Sequence, residues 1–309
     1  MIELHHPDPI LRGQIESAAH TASNLCWTCG SCDFECPVNI ATSRLRPQKL
    51  VRMANLGFLE ELLELPEIWY CLSCRRCLQV CPNTVKPAVL IEFLRREALR
   101  RHLVTCDTLR AYKVLFARFQ RARWHAAAIC LQEVPDLLSG RMWCDWLQAP
   151  VSEDSGAIHS RDLFRGNAGF RSAVEKARTA AGFTCGECSS ACPVSCERSV
   201  FDPRTIFRMA HLGLVENLFA SPFIWLCISC GRCTEACNQQ VDGRELVKAL
   251  QTQAIESGAV DRDFPLRLEQ AGKMIYARFL HEVDLLFGFS EPVEDDIICN
   301  VTVSCAAVC

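Results

Sequence analysis

Sixteen of the 22 cysteines in this 309-residue chain fall in four short runs, and any fold the chain adopts has to accommodate them. The runs are Cys26-x2-Cys29-x2-Cys32-x3-Cys36-Pro37, Cys71-x2-Cys74-x2-Cys77-x3-Cys81-Pro82, Cys185-x2-Cys188-x3-Cys192-Pro193-x2-Cys196 and Cys227-x2-Cys230-x2-Cys233-x3-Cys237. Three thiolates spaced two residues apart on a tight turn each reach a different iron of one cubane, and the first two runs have the bacterial iron–sulfur spacing in full. The fourth lacks only the proline. [4Fe–4S] clusters are therefore expected. Structural zinc prefers two cysteine pairs separated by a loop, and each run here supplies more thiols than a tetrahedral site takes from one turn. Disulfides are disfavoured as well, because Met1-Ile2-Glu3-Leu4-His5-His6-Pro7 has neither the basic start nor the apolar run of a secretory signal. A reducing, cytoplasmic setting is expected, with any membrane association peripheral and through partners.

In two-cluster proteins with this spacing, the last cysteine of each run ligates the other run's cluster. The expected sets are Cys26, Cys29, Cys32 and Cys81 for one cluster and Cys71, Cys74, Cys77 and Cys36 for a second. Such an exchange ties the two runs into one folded unit.

The chain is an internal duplication. At an offset of 156 residues, Thr28-Cys29-Gly30 meets Thr184-Cys185-Gly186, Arg52-Met53-Ala54 meets Arg208-Met209-Ala210, Ile68-Trp69 meets Ile224-Trp225, and the second run meets the fourth. Two domains follow, 1–150 and 151–309, with four clusters in all. The register exposes an anomaly: Cys26 maps onto Gly182, while Cys196 has no counterpart, standing opposite Ile40. Cys192 is expected to join Cys227, Cys230 and Cys233. The remaining cluster is expected to use Cys185, Cys188 and Cys237, with Cys196 substituting for the lost ligand. The alternative leaves Cys196 as an unligated thiol beside a three-iron cluster or an empty site.

Between the runs the apolar residues recur at helical spacing. Helices are expected over Pro47–Leu56, stopped by Gly57, then Phe58–Leu65, Pro87–His102 and Leu109–Ile129. In the second half the corresponding stretches are Pro203–His211, Leu214–Ala220, Arg244–Ser257 and Leu266–Phe287. Few alternating patterns suggest strands, so the fold class is mainly α: two tandem α-helical ferredoxin-like domains. No apolar stretch reaches the roughly 18 residues a membrane span requires.

Trp69 and Trp225, two residues before a run, are placed either to shield a cluster from water or simply to pack the core. Arg76 and Arg232 precede the third cysteine of their runs, as cations beside a cluster or as solvated side chains. The first half carries 18 Lys/Arg against 15 Asp/Glu and the second 15 against 21, too even a balance for nucleic-acid binding. Arg95, Arg96, Arg100, Arg101, Arg118, Arg121 and Arg123 form either a solvated face or a docking surface for an acidic redox partner. His5, His6, His20 and His102 lack metal spacing, and Cys106, Cys130 and Cys144 read as isolated thiols. The tail from Ile297 to Cys309, with Cys299 and Cys305, is apolar and suited to packing on a partner or a second copy.

With its two runs separated by Arg52-Met53-Ala54-Asn55-Leu56-Gly57 and Trp69-Tyr70, the segment Cys26–Cys81 resembles the C subunit of heterodisulfide reductases, and the second half resembles it again. The resemblance implies a hetero-oligomer in which this chain relays single electrons between a flavin-bearing A subunit, on one side, and a catalytic thiol/disulfide B subunit on the other, without a substrate site of its own. It also implies sulfur metabolism as the setting. Consistent with that, no Cys-Cys-Gly pair, Gly-x-Gly-x-x-Gly loop or nucleophile with an attendant base stands out. Two readings compete: an iron–sulfur subunit of a fumarate-reductase, succinate-dehydrogenase or glycerol-3-phosphate-dehydrogenase-like flavoenzyme, and a redox sensor or scaffold with structural clusters.

Overall fold

The computed structural model describes residues 6–132, 168–182 and 185–290. Every regular element among them is helical, as the apolar spacing implies, and no strand is present among the described residues. The chain packs as two compact units: Met1–Leu115 together with the stretch from Tyr276 onward, and Phe116–Ile275. These units are a division of packing, distinct from the sequence halves 1–150 and 151–309, and their boundaries fall inside two long helices. A helix of 26 residues runs roughly 39 Å, beyond the ~30 Å of a small domain, so its two ends serve different cores.

The first unit holds α1 (Pro9–Ala19), α2 (Ser31–Phe34), α3 (Pro37–Thr42), α4 (Pro47–Leu56), α5 (Leu59–Leu63), α6 (Glu67–Tyr70), α7 (Arg76–Gln79), α8 (Pro87–Arg100) and the start of α9 (Cys106–Leu131). Proline opens α1, α3, α4 and α8, where its missing N–H costs nothing. Asp8 caps α1 through Oδ1, accepting from the N–H groups of Ile10 at 2.8 Å and Leu11 at 2.9 Å. Helices α4 and α8 pack on each other and α1 packs on both. Leu50, Val51 and Ala54 bury against this seam with Leu90, Ile91, Leu94 and Ala98. Each larger side chain contributes roughly 1.5–3 kcal/mol of transfer free energy. Helix α9 starts earlier than its apolar spacing suggests because the Thr105 hydroxyl accepts from the Thr108 N–H at 3.1 Å, capping the first turn.

The second unit holds the rest of α9, then α10 (Ala168–Lys176), α11 (Glu187–Ala191), α12 (Pro203–His211), α13 (Val215–Phe219), α14 (Arg232–Glu235), α15 (Gly243–Glu256) and α16 (Phe264–Phe287) as far as Ile275. Here α15 takes the place of α8, packing on α13 and α10, while α12 packs on α13. Ile206, Ala210, Leu246, Val247, Leu250 and Ala254 repeat the buried seam of the first unit.

The end of α16 completes the first unit's core with buried Phe279, Leu280 and Val283. It also carries Asp284, which is 4% exposed. A buried carboxylate is costly unless paired. Asp284 accepts from the Tyr70 hydroxyl and from Arg44 Nη2 at 2.8 Å, and the Arg44 guanidinium lies 4.8 Å from the Tyr70 ring centroid. Phe287 stacks on Trp69 at 4.3 Å.

Gly57 ends α4 with φ +81°, and a Cβ there would lie 2.3 Å from the Asp8 carbonyl oxygen. Gly258 also has a positive φ, +73°, but nothing within 4 Å of its Cβ position. Gly258→Ala is therefore expected to cost about 1 kcal/mol and Gly57→Ala at least ~2 kcal/mol more, because backbone must move. Equal losses in denaturant unfolding of the two variants would rule out the clash.

Candidate metal centres

The turns that carry the cysteines share one backbone device. In the first, second and fourth runs the residues flanking the second cysteine adopt the left-handed region, Thr28 and Gly30, Ser73 and Arg75, Ser229 and Gly231, and in the third run Gly186 after Cys185 does so, with φ between 53° and 88°. Glycine takes this conformation without penalty, and of the four residues Gly30, Arg75, Gly186 and Gly231 only Arg75 is not glycine. Its guanidinium is held by Glu92 at 3.0 Å. The next cysteine, Cys32, Cys77, Cys188 or Cys233, then sits in a single helical turn, in α2, α7, α11 or α14. Helix α2 packs on α7, and α11 on α14, so the first run meets the second and the third meets the fourth.

This packing gathers the thiols into groups. Cys26, Cys29, Cys32 and Cys81 line one cavity, closed by Val51, Val85, Pro82 and Pro87. Cys36, Cys71, Cys74 and Cys77 are all buried, and their charges act on one another. Cys192, Cys227, Cys230 and Cys233 line another cavity with Val194, Phe201, Phe207 and Val247. Cys185, Cys188 and Cys237 line a fourth with Gly182, Phe207 and Val241. Cys196 is not among that cavity's lining residues; it is exposed, and its thiol donates to the Pro193 carbonyl at 3.8 Å. No three His, Cys, Asp or Glu side chains among the described residues converge on the position of a single metal ion. Thiols spread around a cavity fit an iron–sulfur cube, whose irons need separate ligands, better than one tetrahedral zinc.

The electrostatics fit ligation rather than free-thiol chemistry. Burial pushes the thiols of Cys32, Cys36 and Cys192 up to about 12, and those of Cys77, Cys227 and Cys233 rise from the same cause. Such groups stay protonated in water and become thiolates only when a metal displaces the proton. Cys29 is the exception: it is exposed, and a hydrogen bond with the Ser31 side chain holds it below its ordinary value. Backbone N–H groups donate to sulfur at 3.4 Å in matching places of both halves, Ser73 to Cys71 and Val85 to Cys81, Ser229 to Cys227 and Val241 to Cys237. N–H donors of this kind stabilise a thiolate and tune a cluster's potential.

Several supporting residues became visible only in three dimensions. Arg95 donates to the carbonyls of Ile68 and Cys71, both at 2.6 Å, and its guanidinium lies 5.6 Å from the ring centroids of Trp69 and Tyr112. Its counterpart at the same offset, Gln251, donates to the Ile224 carbonyl at 2.8 Å. The sequence signal was there, since both positions carry a long donor one repeat apart. In the second unit Arg123 supplies the missing cation, donating to the Leu226 carbonyl at 2.9 Å next to Cys227. Arg76 pairs with Glu35, the residue before Cys36, and so fastens the second run to the first. Trp69 and Trp225 are buried at 2% and 8% exposure.

Five of the seven arginines of the arginine-rich stretch are engaged within the chain. Arg95 and Arg123 bind backbone carbonyls, Arg100 and Arg101 pair with Glu97, and Arg121 pairs with Glu197 at 2.7 Å. Cys130 is buried and Cys106 exposed. Cys144 and the tail with Cys299, Cys305 and Cys309 lie outside the described residues.

Residues 22–85 and 183–241 match the model of the 4Fe–4S dicluster domain, which covers each pair of runs. The chain thus carries two regions of the 4Fe–4S dicluster type in tandem. Two such domains imply four clusters. The chain is similar to the C subunit of the H2:CoB–CoM heterodisulfide, ferredoxin reductase of Methanothermobacter thermautotrophicus, 31% identical over 87 residues, 28% of this chain and 46% of that protein. It is also 37% identical over 76 residues, 25% of the chain and 40% of the relative, to the second iron–sulfur C subunit of the CoB–CoM heterodisulfide reductase of Methanocaldococcus jannaschii. A protein of Archaeoglobus profundus, named as similar to the heterodisulfide reductase C subunit, is 35% identical over 71 residues, 23% of the chain and 38% of the relative. The match thus spans less than half the length of each of these relatives.

The dicluster turns depend on the Arg95 anchor in a way that two substitutions expose. Arg95→Gln, which installs the second half's residue, is expected to keep the Ile68 bond and most of the stability. Arg95→Ala leaves carbonyls unsatisfied and is expected to cost about 1.5–3 kcal/mol in denaturant unfolding of the cluster-loaded protein. Similar losses for both variants would show that the guanidinium's charge, rather than the carbonyl bond, matters.

Proposed function

We propose that this chain is the iron–sulfur electron-transfer subunit of a heterodisulfide-reductase-like complex. It takes single electrons from a flavin-bearing partner and hands them to a subunit that performs thiol/disulfide chemistry. The observation that carries this reading is the gathering of four cysteine groups, three of them of four thiols, beside tightly packed helices. Cys26, Cys29, Cys32 and Cys81 would hold one cluster, Cys36, Cys71, Cys74 and Cys77 a second, and Cys192, Cys227, Cys230 and Cys233 a third. Cys185, Cys188 and Cys237 would hold the fourth. Each cluster supplies one-electron chemistry when bound.

The chain's own residues set the conditions for that chemistry. Trp69 and Trp225 exclude water, the N–H donors to sulfur favour the reduced state, and Arg123 adds a positive charge beside Cys227. Exposed Cys29, flanked by Trp27 at 74% exposure, brings the first cluster close to the surface, where a partner's cofactor can exchange electrons with it. Among the described residues no helix is long and apolar enough to cross a membrane.

Anaerobic iron and sulfide analysis with redox-titrated EPR tests the reading. About sixteen irons with reversible low-potential one-electron signals are expected; zinc in place of iron would refute it, and clusters that never change oxidation state would favour a structural role. A second measurement addresses Arg123. Arg123→Gln is expected to lower the midpoint potential of one cluster by roughly 20–60 mV, since ~59 mV per tenfold applies to one electron, whereas Arg123→Lys keeps the charge and moves it far less.

A further inference from the structure

The duplication allows the fourth cysteine group to be compared with the first position by position. One repeat apart, Cys185, Cys188, Cys237 and Val241 match Cys29, Cys32, Cys81 and Val85 in lining their cavities. Gly182 stands for Cys26, Arg204 for Gln48, Phe207 for Val51 and Asn238 for Pro82. The backbone has not changed with them. Gly182 has φ −69° and ψ 117°, and Cys26 has φ −73° and ψ 115°. Each N–H donates at 3.1 Å to the carbonyl three residues back, Thr179 or Ser23. Neither dihedral of Gly182 requires glycine, and a Cβ there would lie 3.1 Å from the Thr179 carbonyl oxygen, which a shift of a few tenths of an ångström would relieve, so the position can present a ligand that the sequence omits.

Its loss coincides with a larger cavity. The volume is about 260 Å³ at the Cys185 group against about 20 Å³ at the groups of Cys26 and Cys192. The charge differs too: this lining has one fewer thiol than the first and two arginines where the first has none. Arg204 and Arg208 both line the cavity; Arg204 Nε lies 3.8 Å from buried Asp202, and Arg208 is exposed. Glu187, also in the lining and exposed, is the opposing charge.

We propose that one iron of the cluster held by Cys185, Cys188 and Cys237 has no ligand from this chain, and that it binds a small anionic thiol. The inference rests on the cluster reading above. The ligand's sulfur takes the position of the missing thiolate, and its charged end meets Arg204 and Arg208. Cys185, Cys188 and Cys237 would hold the cluster, and a thiol ligating its open iron would release its proton to solvent in exchange for a water molecule, with no change of oxidation state. The cavity must hold the cluster as well as the thiol, so only a small ligand of a few heavy atoms fits beside it.

The test uses the cluster-loaded full chain under anaerobic conditions, with mercaptoacetate as the anionic probe and 2-mercaptoethanol as the neutral one. About sixteen irons are expected, and mild oxidation should remove one iron from a single cluster, producing a three-iron EPR signal. Gly182→Cys should abolish that signal while retaining iron, and Gly182→Ala, which adds the methyl without the sulfur, should leave it. Mercaptoacetate should shift the EPR spectrum of one reduced cluster and bind roughly tenfold more tightly than 2-mercaptoethanol. That shift should vanish in Gly182→Cys, and the preference should vanish in Arg204→Gln. Cys196→Ala should leave the iron content unchanged. Loss of about four irons in Cys196→Ala would instead make Cys196 the fourth ligand and overturn the proposal. So would about twelve irons in the unaltered chain, or a spectrum indifferent to both thiols, each with the other clusters still in place. Absence of iron altogether would be a failure of the cluster reading itself.

Discussion

Packing of one helical turn on another, α2 on α7 and α11 on α14, is the contact on which each dicluster region depends. Each of these turns is only four or five residues long, far too short to be stable alone. They persist because a left-handed residue launches each turn at a fixed angle and because the partner turn covers it. In the first unit the Arg76–Glu35 pair ties the second run to the residue before Cys36. A cysteine at the end of one run is thereby delivered beside the three thiols of the other. The long helices then serve mainly to keep these turns dry and in register, which is why α4 with α8, and α12 with α15, flank them.

Burial has a second consequence. A thiol pushed up to about 12, as at Cys36 or Cys192, is a poor nucleophile and a poor redox partner for a disulfide. The same burial suits a cluster, whose irons displace the protons and whose potential depends on being kept from water. The apolar surroundings that make these cysteines inert as thiols are therefore the surroundings a relay of electrons requires. Cys29, exposed and held below its ordinary value by Ser31, departs from this pattern at the one place where the first group approaches solvent.

Much of this was legible in the amino-acid sequence, and the reasons are local. Cysteine spacing, proline at helix starts and glycine at the end of α4 each act within a few residues, so the helices and the thiol groups of Cys26 and Cys227 could be read directly. Interactions between distant segments could not. Asp284 finds Tyr70 and Arg44 only across more than 200 residues of chain, and Arg95, one of a basic stretch in the sequence, reaches the carbonyls around Cys71. Cys196 illustrates the converse: proximity in sequence to Cys192 suggested a replacement ligand, but the turn after Pro193 leaves it exposed and outside the cavity lining.

The two copies also differ in how they hold the cysteine that opens the later run. In the first unit one guanidinium, Arg95, binds the carbonyls of Ile68 and Cys71 and stacks near Trp69. In the second the work is divided: neutral Gln251 holds Ile224, and the cation arrives from α9 as Arg123 at Leu226. Hydrogen bonding is thus retained in both while the placement of positive charge is not. Because a charge acts on a cluster's potential over several ångströms and a neutral donor acts only on contact, copies with the same fold need not have the same potentials. Divergence of this kind requires no change in the helices, only in which side chain carries the charge.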